Sequence, residues 1–397
     1  MKQLFRFSIL VLALLLSATA TAHDFEVNGI YYDIEGANAS VTFGNNEYTG
    51  SVTIPATVTY NGTTYPVTSI GLLAFRYCTG LTGIDIPNSV TEIAKDAFSY
   101  CSGLTSIVVE SGNPTYGSPN DCNAIIETAS NTLIVGCENT IIPNTVTKIG
   151  DYAFDGRTGL TDIDIPNSVT AIGFSAFADC TGLTSIDIPN SVTAIGNSVF
   201  YRCTGLTSIV IPNSVTSIGL EAFCSCTGLT SIVIPNSVTE IGQWAFGGCT
   251  GLTSIVIPNS VTEIDYQAFA DCTGLTDVYC YIADLSRVSS GYDDPCYWWY
   301  LYDGDYSGRT LHVLHGMTGA FQADERWYPY FGQIVEDIFM GDVNGDREVN
   351  IADVNAVIDM ILDGNDDTTA ADVNGDGEIN IADVNAIINI ILSGSWN

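Results

Sequence analysis

The chain has 397 residues and a formal net charge of −34, with only 11 lysines and arginines. A surface with this charge repels phosphate backbones and anionic membranes, which argues against nucleic acid as a partner. Because 46% of the residues are hydrophobic and 14% are charged, the composition predicts a packed protein and excludes an acidic disordered one.

The first 22 residues predict a cleavable export signal. Lys2 and Arg6 precede an apolar run from Phe7 to Leu16, and small residues follow it up to Ala22. This order is typical of secretory leaders. No later stretch approaches the roughly 20 apolar residues that cross a bilayer. We therefore expect no membrane span and a secreted, extracellular or cell-surface location.

Residues 23–66 predict an N-terminal β cap. Apolar and polar residues alternate there around two Asn-Gly pairs, at Asn28 and Asn61. Asn-Gly pairs between alternating segments favour tight hairpin turns. We expect hairpins that cover the first coil of the segment that follows.

Residues 67–282 contain a unit of 23 residues whose leucine recurs at Leu160, Leu183, Leu206, Leu229, Leu252 and Leu275. A fixed period of this length predicts a solenoid, in which each coil is stable only when it stacks on its neighbours. From Leu183 to Ile188 the pattern predicts a short parallel strand, which Pro189 ends. From Val192 to Phe200 it favours a turn and a brief helical or 3₁₀ segment.

Two segments depart from the repeat. The spacing from Leu104 to Leu160 is longer than one period, which indicates an insertion at about residues 109–141. We expect this insertion to form a hairpin that bulges from the rod. Residues 283–338 predict a C-terminal cap, in which the part from Arg309 onward closes the last coil.

The repeat text resembles the BspA-type leucine-rich repeats of bacterial surface antigens. The segment PNSVTxIGxxAFxxCTGLTSI carries the resemblance, which covers roughly residues 24–338. It implies an α/β repeat solenoid, namely a right-handed leucine-rich-repeat coil with a parallel β-sheet on one face. It also implies adhesion to a host or cell-surface protein or glycan.

The repeat cysteines stand three residues before the repeat leucine, at Cys78, Cys101, Cys180, Cys203, Cys226, Cys249 and Cys272. This spacing predicts a column of small buried thiols, because free cysteine packs as a small apolar residue. Export also permits disulfides. The sequence leaves open whether disulfides join Cys122 to Cys137 and Cys280 to Cys296.

Two parts of the solenoid are candidates for partner binding. Three valines occupy the outward position of the predicted strand: Val210, Val233 and Val256. They either form an apolar stripe that binds a partner, or they have no function and were copied when the repeat was duplicated. Trp298 and Trp299 lie in a segment rich in tyrosine and acids. Their rings either pack the C-terminal cap or stack on sugar rings.

Residues 339–397 contain two loops, 30 residues apart, with oxygen donors at loop positions 1, 3, 5, 7, 9 and 12. Calcium takes six to eight hard oxygen ligands from loops of this pattern. We therefore predict two Ca²⁺ ions, with the backbone carbonyl donating at position 7. The ligands are Asp342, Asn344, Asp346, Glu348, Asn350 and Asp353, and Asp372, Asn374, Asp376, Glu378, Asn380 and Asp383.

A helix is predicted after each loop, with apolar residues at helical spacing. These residues are Val354, Val357, Ile358, Ile361 and Leu362, and Val384, Ile387, Ile388, Ile391 and Leu392. We expect the two apolar faces to pack together. The first loop has Arg347 at position 6 where the second has Gly377, so we expect the first loop to bind calcium more weakly.

The paired loop-helix units resemble a type I dockerin over about residues 340–397. No helix precedes the first loop and position 12 is aspartate, two departures from an ordinary EF-hand. The resemblance implies a small all-α module that binds a cohesin-like partner. It also implies that Ile351 with Ala352, and Ile381 with Ala382, help to select that partner.

No catalytic motif is recognisable, and we expect no enzyme activity. The chain has three histidines, of which His312 and His315 could hold a metal but are better explained by packing and surface positions. Two functions remain. One is an adhesin-like binding protein with a calcium-dependent dockerin. The alternative is a non-catalytic accessory subunit of a cellulosome-like polysaccharide-degrading complex.

Overall fold

The computed structural model describes residues 23–44, 47–289, 298–300, 305–344, 348–363, 370–374 and 378–393. The predicted leader lies outside these ranges.

The described chain starts with hairpins, as expected. The strands are β1 (Phe25–Val27), β2 (Ile30–Glu35), β3 (Asn38–Thr42), β4 (Gly50–Thr53), β5 (Thr57–Tyr60) and β6 (Thr63–Ile70). Antiparallel pairs join β1 to β2, β2 to β3 and β5 to β6. Asn28-Gly29 and Asn61-Gly62 have positive φ angles and turn the first and last of these hairpins.

The coils that follow consist of short strands joined by turns. The strands are β7 (Leu81–Ile86), β8 (Glu92–Ile93), β9 (Ser106–Val109), β10 (Tyr116–Gly117), β11 (Ala124–Glu127), β12 (Thr132–Gly136), β13 (Lys148–Ile149), β14 (Ala171–Ile172), β15 (Ala194–Ile195), β16 (Ser217–Ile218), β17 (Glu240–Ile241), β18 (Ser254–Ile257), β19 (Glu263–Ile264) and β20 (Asp277–Cys280). Single 3₁₀ turns lie at Pro119–Asp121 and Leu285–Arg287.

The C-terminal part contributes β21 (Thr310–Leu314), helix α1 (Thr318–Ala323), β22 (Gln333–Ile338), and the tail helices α2 (Ile351–Asp363) and α3 (Ile381–Ser393). Although the text of this region departs from the repeat, β20, β21 and β22 pair in parallel. The cap therefore extends the strand ladder by two further strands.

The leucine strands form parallel sheets at the two ends of the rod. One contains β4, β7 and β9, and the other contains β18, β20, β21 and β22. In the coils between, Asp187 bridges Val210 and Val233 bridges Val256 in the same register. The predicted strand is thus reduced to single bridges in the central coils, where hydrogen bonds such as Thr207 N–H to the Thr184 carbonyl (3.0 Å) recur once per coil.

A second parallel ladder lies where the sequence suggested a turn and a brief helical or 3₁₀ segment. The turn is present, but the helical part of that prediction was wrong. Ile195, its equivalents in other coils and the residue before each of them form two-residue strands, as in β15, β16, β17 and β19, followed by turns. Pairs such as Ile195 with Ile218 place each isoleucine directly over that of the next coil. Bonds to neighbouring coils satisfy the backbone here, which local spacing alone did not reveal.

We expected the insertion to bulge from the rod, but it does not. Strands β10, β11 and β12 form an antiparallel meander, and β12 pairs in parallel with β13 of the next coil. Ile125, Ile126 and Leu133 are buried, because the insertion fills the space of one coil. The apolar core divides at this point into two clusters, one on each side.

Aromatic rings form a stacked column in the core on each side of the insertion. The phenylalanine rings of successive coils stack with centroids 5.0 to 5.7 Å apart from Phe154 to Phe269, and Phe269 stacks on Trp299 at 4.6 Å. At the other end, Tyr48 contacts Phe75 at 4.7 Å. Each end of the described solenoid therefore closes its column with an aromatic ring, which keeps the last coil from exposing an apolar face.

Candidate functional site

Each helix of the tail starts directly after a loop rich in oxygen donors, at loop position 10. The side-chain oxygen of Asn350 accepts a hydrogen bond from the Ala352 N–H at 2.8 Å, and that of Asn380 accepts from Ala382 at 2.7 Å. This is the bonding of a helix N-cap. Loop position 9 therefore ends each loop and starts each helix.

The aspartate at position 12 holds the two ends of its loop together. Asp353 is buried, and its carboxylate accepts hydrogen bonds from the backbone N–H groups of Val343 (2.7 Å), Asn344 (3.1 Å) and Asn350 (2.8 Å). Asp383 is buried as well and binds the corresponding amides of positions 3 and 9. Positions 3, 9 and 12 are thus close together in both loops.

These loops fit a calcium ion by their chemistry. Asp353, Asp372 and Asp383 are buried carboxylates, and no lysine or arginine of the described chain forms an ion pair with Asp353 or Asp383. Buried charges are normally paired or coordinate a metal. The carboxylate has about four lone-pair directions, so its amide bonds leave room for a cation.

The predicted ligands at position 5, Asp346 and Asp376, lie outside the described residues. Within the described ranges, no three histidine, cysteine or acidic side chains are grouped closely enough to hold a metal. Glu348 and Glu378 have exposed side chains, which agrees with the prediction that position 7 contributes its backbone carbonyl. The two-ion prediction therefore remains a prediction.

The second loop touches the solenoid. The side-chain amide of Asn236, in the PNSV turn of a repeat, donates a hydrogen bond to the carboxylate of Asp372 at 2.7 Å. Asp372 is loop position 1. The repeats and the calcium loop therefore share a polar contact that the sequence did not indicate.

The proposed cohesin-selecting residues are all on the surface. Ile351 and Ile381 are each 66% exposed, and the alanines that follow them are exposed too. A large apolar side chain at the same helix position in both halves is unusual unless it has a partner. The two halves present this feature equally.

The prediction that all the helical apolar residues pack together was wrong in part. Val354, Val357, Val384 and Ile387 are buried between the helices, but Leu362 is 76% and Leu392 is 79% exposed. Two short helices share too small an interface to cover their last turns. Helical periodicity identifies the apolar face but not how far along the helix the contact extends.

The solenoid carries an outward row on its leucine-strand ladder. Val210 and Val233 are 69% and 56% exposed, and Val256 is partly exposed. The ladder register aligns Val256 with Tyr279, and Tyr279 with His312. The valine stripe therefore continues into the C-terminal cap as an aromatic pair, with ring centroids 4.3 Å apart.

His312 is held by two carboxylates of neighbouring strands. One ring nitrogen lies 2.9 Å from Asp337, and the other lies 3.2 Å from Asp277. His315 instead faces Glu336 and stacks on Phe339. The two rings thus have different neighbours, which favours the packing interpretation over a shared metal.

Trp298 and Trp299 cannot be surface contacts, so their assignment as partner-binding residues was wrong. Both side chains are completely buried, and both pack on Trp327. Trp299 closes the aromatic column, for which it supplies the last ring. Much of the surrounding tyrosine-rich segment lies outside the described residues.

The repeat cysteines form the predicted buried column. Each thiol from Cys180 to Cys272 donates to the carbonyl of the phenylalanine in the preceding coil, at 3.1 Å. Burial raises the pKa of Cys180 to about 12, so this thiol is unreactive at neutral pH. Cys122 and Cys137 are free thiols, which excludes their suggested disulfide in this structure. Cys296 lies outside the described residues.

Within the described ranges, no helix is both long and apolar enough to span a bilayer.

Comparison with known families agrees with this architecture. The BspA type Leucine rich repeat region matches residues 39–120, 134–226 and 193–290, which together span more than half of the chain. The Dockerin type I domain matches residues 340–392. Both are non-catalytic binding modules, and no catalytic domain is indicated.

Several solved structures are similar to this chain. A leucine-rich repeat protein from Eubacterium ventriosum is 26% identical, with 57% of this chain and 59% of that one covered, at a TM-score of 0.48. This chain therefore spans less than two thirds of that protein. A leucine-rich repeat protein from Bacteroides ovatus is 24% identical, with 80% and 83% covered and a TM-score of 0.45.

A leucine rich cell surface protein from Faecalibacterium prausnitzii is 26% identical, with 82% of this chain and 79% of that one covered and a TM-score of 0.39. Among curated proteins, none matches this chain. The repeat family matches most of the solenoid, and the dockerin family matches the tail. These two matches are sufficient to assign the chain to a family. It belongs to the BspA-type leucine-rich-repeat family and carries a type I dockerin domain in its C-terminal part.

Proposed function

We propose that this protein is a secreted or cell-surface binding protein with two separate binding surfaces. The outward row of the solenoid recognises a protein or glycan of a host or another cell. The dockerin binds a cohesin-type partner and requires calcium to do so. The exposed isoleucine at the start of each tail helix, directly beside a buried calcium-loop carboxylate, is the observation that carries the proposal.

A bound calcium ion would supply positive charge to the carboxylates of each loop. Asp342, Asn344, Asp346, the Glu348 carbonyl, Asn350 and Asp353 would hold one ion, and their counterparts in the second loop would hold another. When bound, the ion neutralises carboxylates that otherwise repel one another. Asp353 and Asp383 orient the loop amides, which sets the direction of each helix.

The dockerin surface is tested by two paired substitutions in the full chain. Ile351→Asp with Ile381→Asp should abolish calcium-dependent binding to a panel of purified cohesin modules, because it removes apolar contact and adds charge. Asn355→Asp with Asn385→Asp changes exposed positions on the same helices and should leave binding intact. Surface plasmon resonance would show either result. An equal loss of cohesin binding in the isoleucine variant and in the asparagine variant would contradict the proposal.

The solenoid surface is tested by replacing Val210, Val233 and Val256 together with aspartate. We expect adhesion of the purified protein to intact cells to fall at least about tenfold, since the row loses its apolar area. Ala194→Asp with Ser217→Asp places the new charges on the other ladder and serves as the control. If the triple variant adheres as well as the unmodified protein, the valine row is not the binding surface.

The alternative is that the protein is a non-catalytic accessory subunit of a cellulosome-like polysaccharide-degrading complex. The dockerin match favours this alternative, because a dockerin provides the attachment that such a subunit needs. The two functions are compatible. Comparing the two sets of variants in a cell that has cohesins would show which binding event retains the protein at the surface.

A further inference from the structure

The insertion opens a cleft in the second ladder. Strands β8 and β13 lie on either side of a break in that ladder, and the meander of β10, β11 and β12 enters between them. The Tyr116 hydroxyl accepts a hydrogen bond from the Ile93 N–H at 3.1 Å, which ties the meander to the earlier coil. The cleft that remains has a volume of about 630 Å³. This volume is typical of small-molecule sites.

The cleft brings two lysines together beside two acids in a strongly negative protein. The chain has three lysines, of which Lys2 is in the predicted leader, and the other two both line this cleft. Lys95 pairs with Asp151 at 2.7 Å. Lys148 is exposed and forms no direct ion pair within the described residues, although its charge also lowers the pKa of Asp151. An anion can therefore reach the Lys148 ammonium group, and both lysines act on the same carboxylate.

The rest of the lining consists largely of hydroxyl groups and two acids. Ser130, Thr132, Thr147 and Thr170 are all present, with Glu127 beside them. The Ser130 hydroxyl donates to Glu127 and also contacts the Thr132 hydroxyl at 2.9 Å. The Lys95 ammonium lowers the pKa of Asp151 although burial opposes this, so that carboxylate stays charged. The lining can thus both donate to and accept from a ligand rich in hydroxyls.

We propose that this cleft binds a sugar that carries a carboxylate, such as a uronic or sialic acid unit. The sugar carboxylate pairs with Lys148 and Lys95, and the ring hydroxyls bond to the serine, the threonines and Glu127. A phosphate group fits less well, because Glu127 and Asp151 repel its second charge. The site is apart from the valine row and from the dockerin, so it can fail while the functions proposed above stand.

The test uses the full chain and isothermal titration calorimetry with digalacturonic acid, sialyllactose and neutral lactose. We expect at least one acidic sugar to bind, and the two acids distinguish the uronic from the sialic source. Lys148→Gln should lower the affinity about tenfold or more, because a charge-assisted hydrogen bond is lost. Arg287→Gln removes an exposed cation elsewhere on the surface and should have no effect.

The proposal is overturned if neither acidic sugar binds, if lactose or polyglutamate binds equally well, or if Lys148→Gln binds as the unmodified chain does. Lys148 is exposed, so its substitution leaves the fold intact, which circular dichroism verifies. The triple valine variant should keep its sugar affinity, since it changes the other ladder. Loss of sugar binding in that variant would also contradict the proposal.

Discussion

At the scale of single residues, the repeat thiol joins each coil to the one before it. The thiol of Cys203 donates to the Phe177 carbonyl at 3.1 Å and is completely buried. A free cysteine is thus both a small packing residue and a hydrogen-bond donor at this position. The column explains why the repeat retains cysteine without forming a disulfide there.

Cys203→Ala should destabilise the protein by about 1–3 kcal/mol, because it removes a buried hydrogen bond between coils and leaves a small cavity. Cys224→Ala is a matched control, since that thiol contacts Ser225 in its own turn at 3.7 Å. It should cost clearly less. Urea unfolding followed by circular dichroism measures both, and equal costs would show that the bond between coils contributes little.

Asp155 predicts a pH dependence. It is buried beside Arg157, and burial raises its pKa to about 6, with a further rise from Asp179. The folded protein therefore keeps this proton at pH values where the unfolded chain, with a pKa near 3.8, has lost it. The contribution of this group to stability falls as the pH rises from about 4 to about 6.

Asp155→Asn should raise the melting temperature at pH 7, and the gain should shrink as the pH falls toward 4. The exposed Asp187→Asn provides the comparison and should show no such trend. Differential scanning calorimetry across this pH range measures both variants. A gain for Asp155→Asn that is constant with pH would contradict the assignment of its pKa.

At the scale of elements, Arg157 forms hydrogen bonds at the point where the insertion interrupts the repeats. It stands where other coils have cysteine, is completely buried, and donates to the carbonyls of Gly136 and Phe98, each at 2.9 Å. Phe98 belongs to the coil before the insertion, so the guanidinium joins the coils on either side of it. Gly136 is also required here, because a Cβ atom would lie 2.1 Å from the Phe154 ring.

Arg157→Cys restores the repeat consensus but should destabilise the protein by about 3 kcal/mol or more, since it removes three hydrogen bonds from a buried guanidinium to backbone carbonyls and leaves a cavity. Arg202→Cys changes an exposed arginine and should cost under about 0.5 kcal/mol. Denaturant unfolding measures both. A consensus variant as stable as the original would show that the arginine is not needed.

The solenoid and the calcium loops were predictable because each is encoded by a repeated sequence. The repeat length determines which side chains of neighbouring coils stack, so it predicts the columns of leucine, phenylalanine and cysteine. The second ladder was not predictable, since two-residue strands form only through bonds between coils, as for Ile195 and Ile218. The cleft at Lys148 was missed for a similar reason, because the insertion brings together residues that are far apart in sequence.

At the scale of the whole molecule, the chain combines a rod held by contacts between coils with a tail whose two loops carry the predicted calcium ligands. The two parts meet at the bond from Asn236 to Asp372. The rod depends on apolar stacking and backbone bonds, which need no ion. Calcium should therefore control the tail and leave the rod unchanged.

Hydrogen–deuterium exchange on the full chain, with calcium and with EDTA, tests this claim most directly. We expect EDTA to remove protection from α2 and α3 while the amides of both solenoid ladders keep theirs. Protection of the tail that does not change on chelation, or a loss that spreads through the coils, would contradict the account.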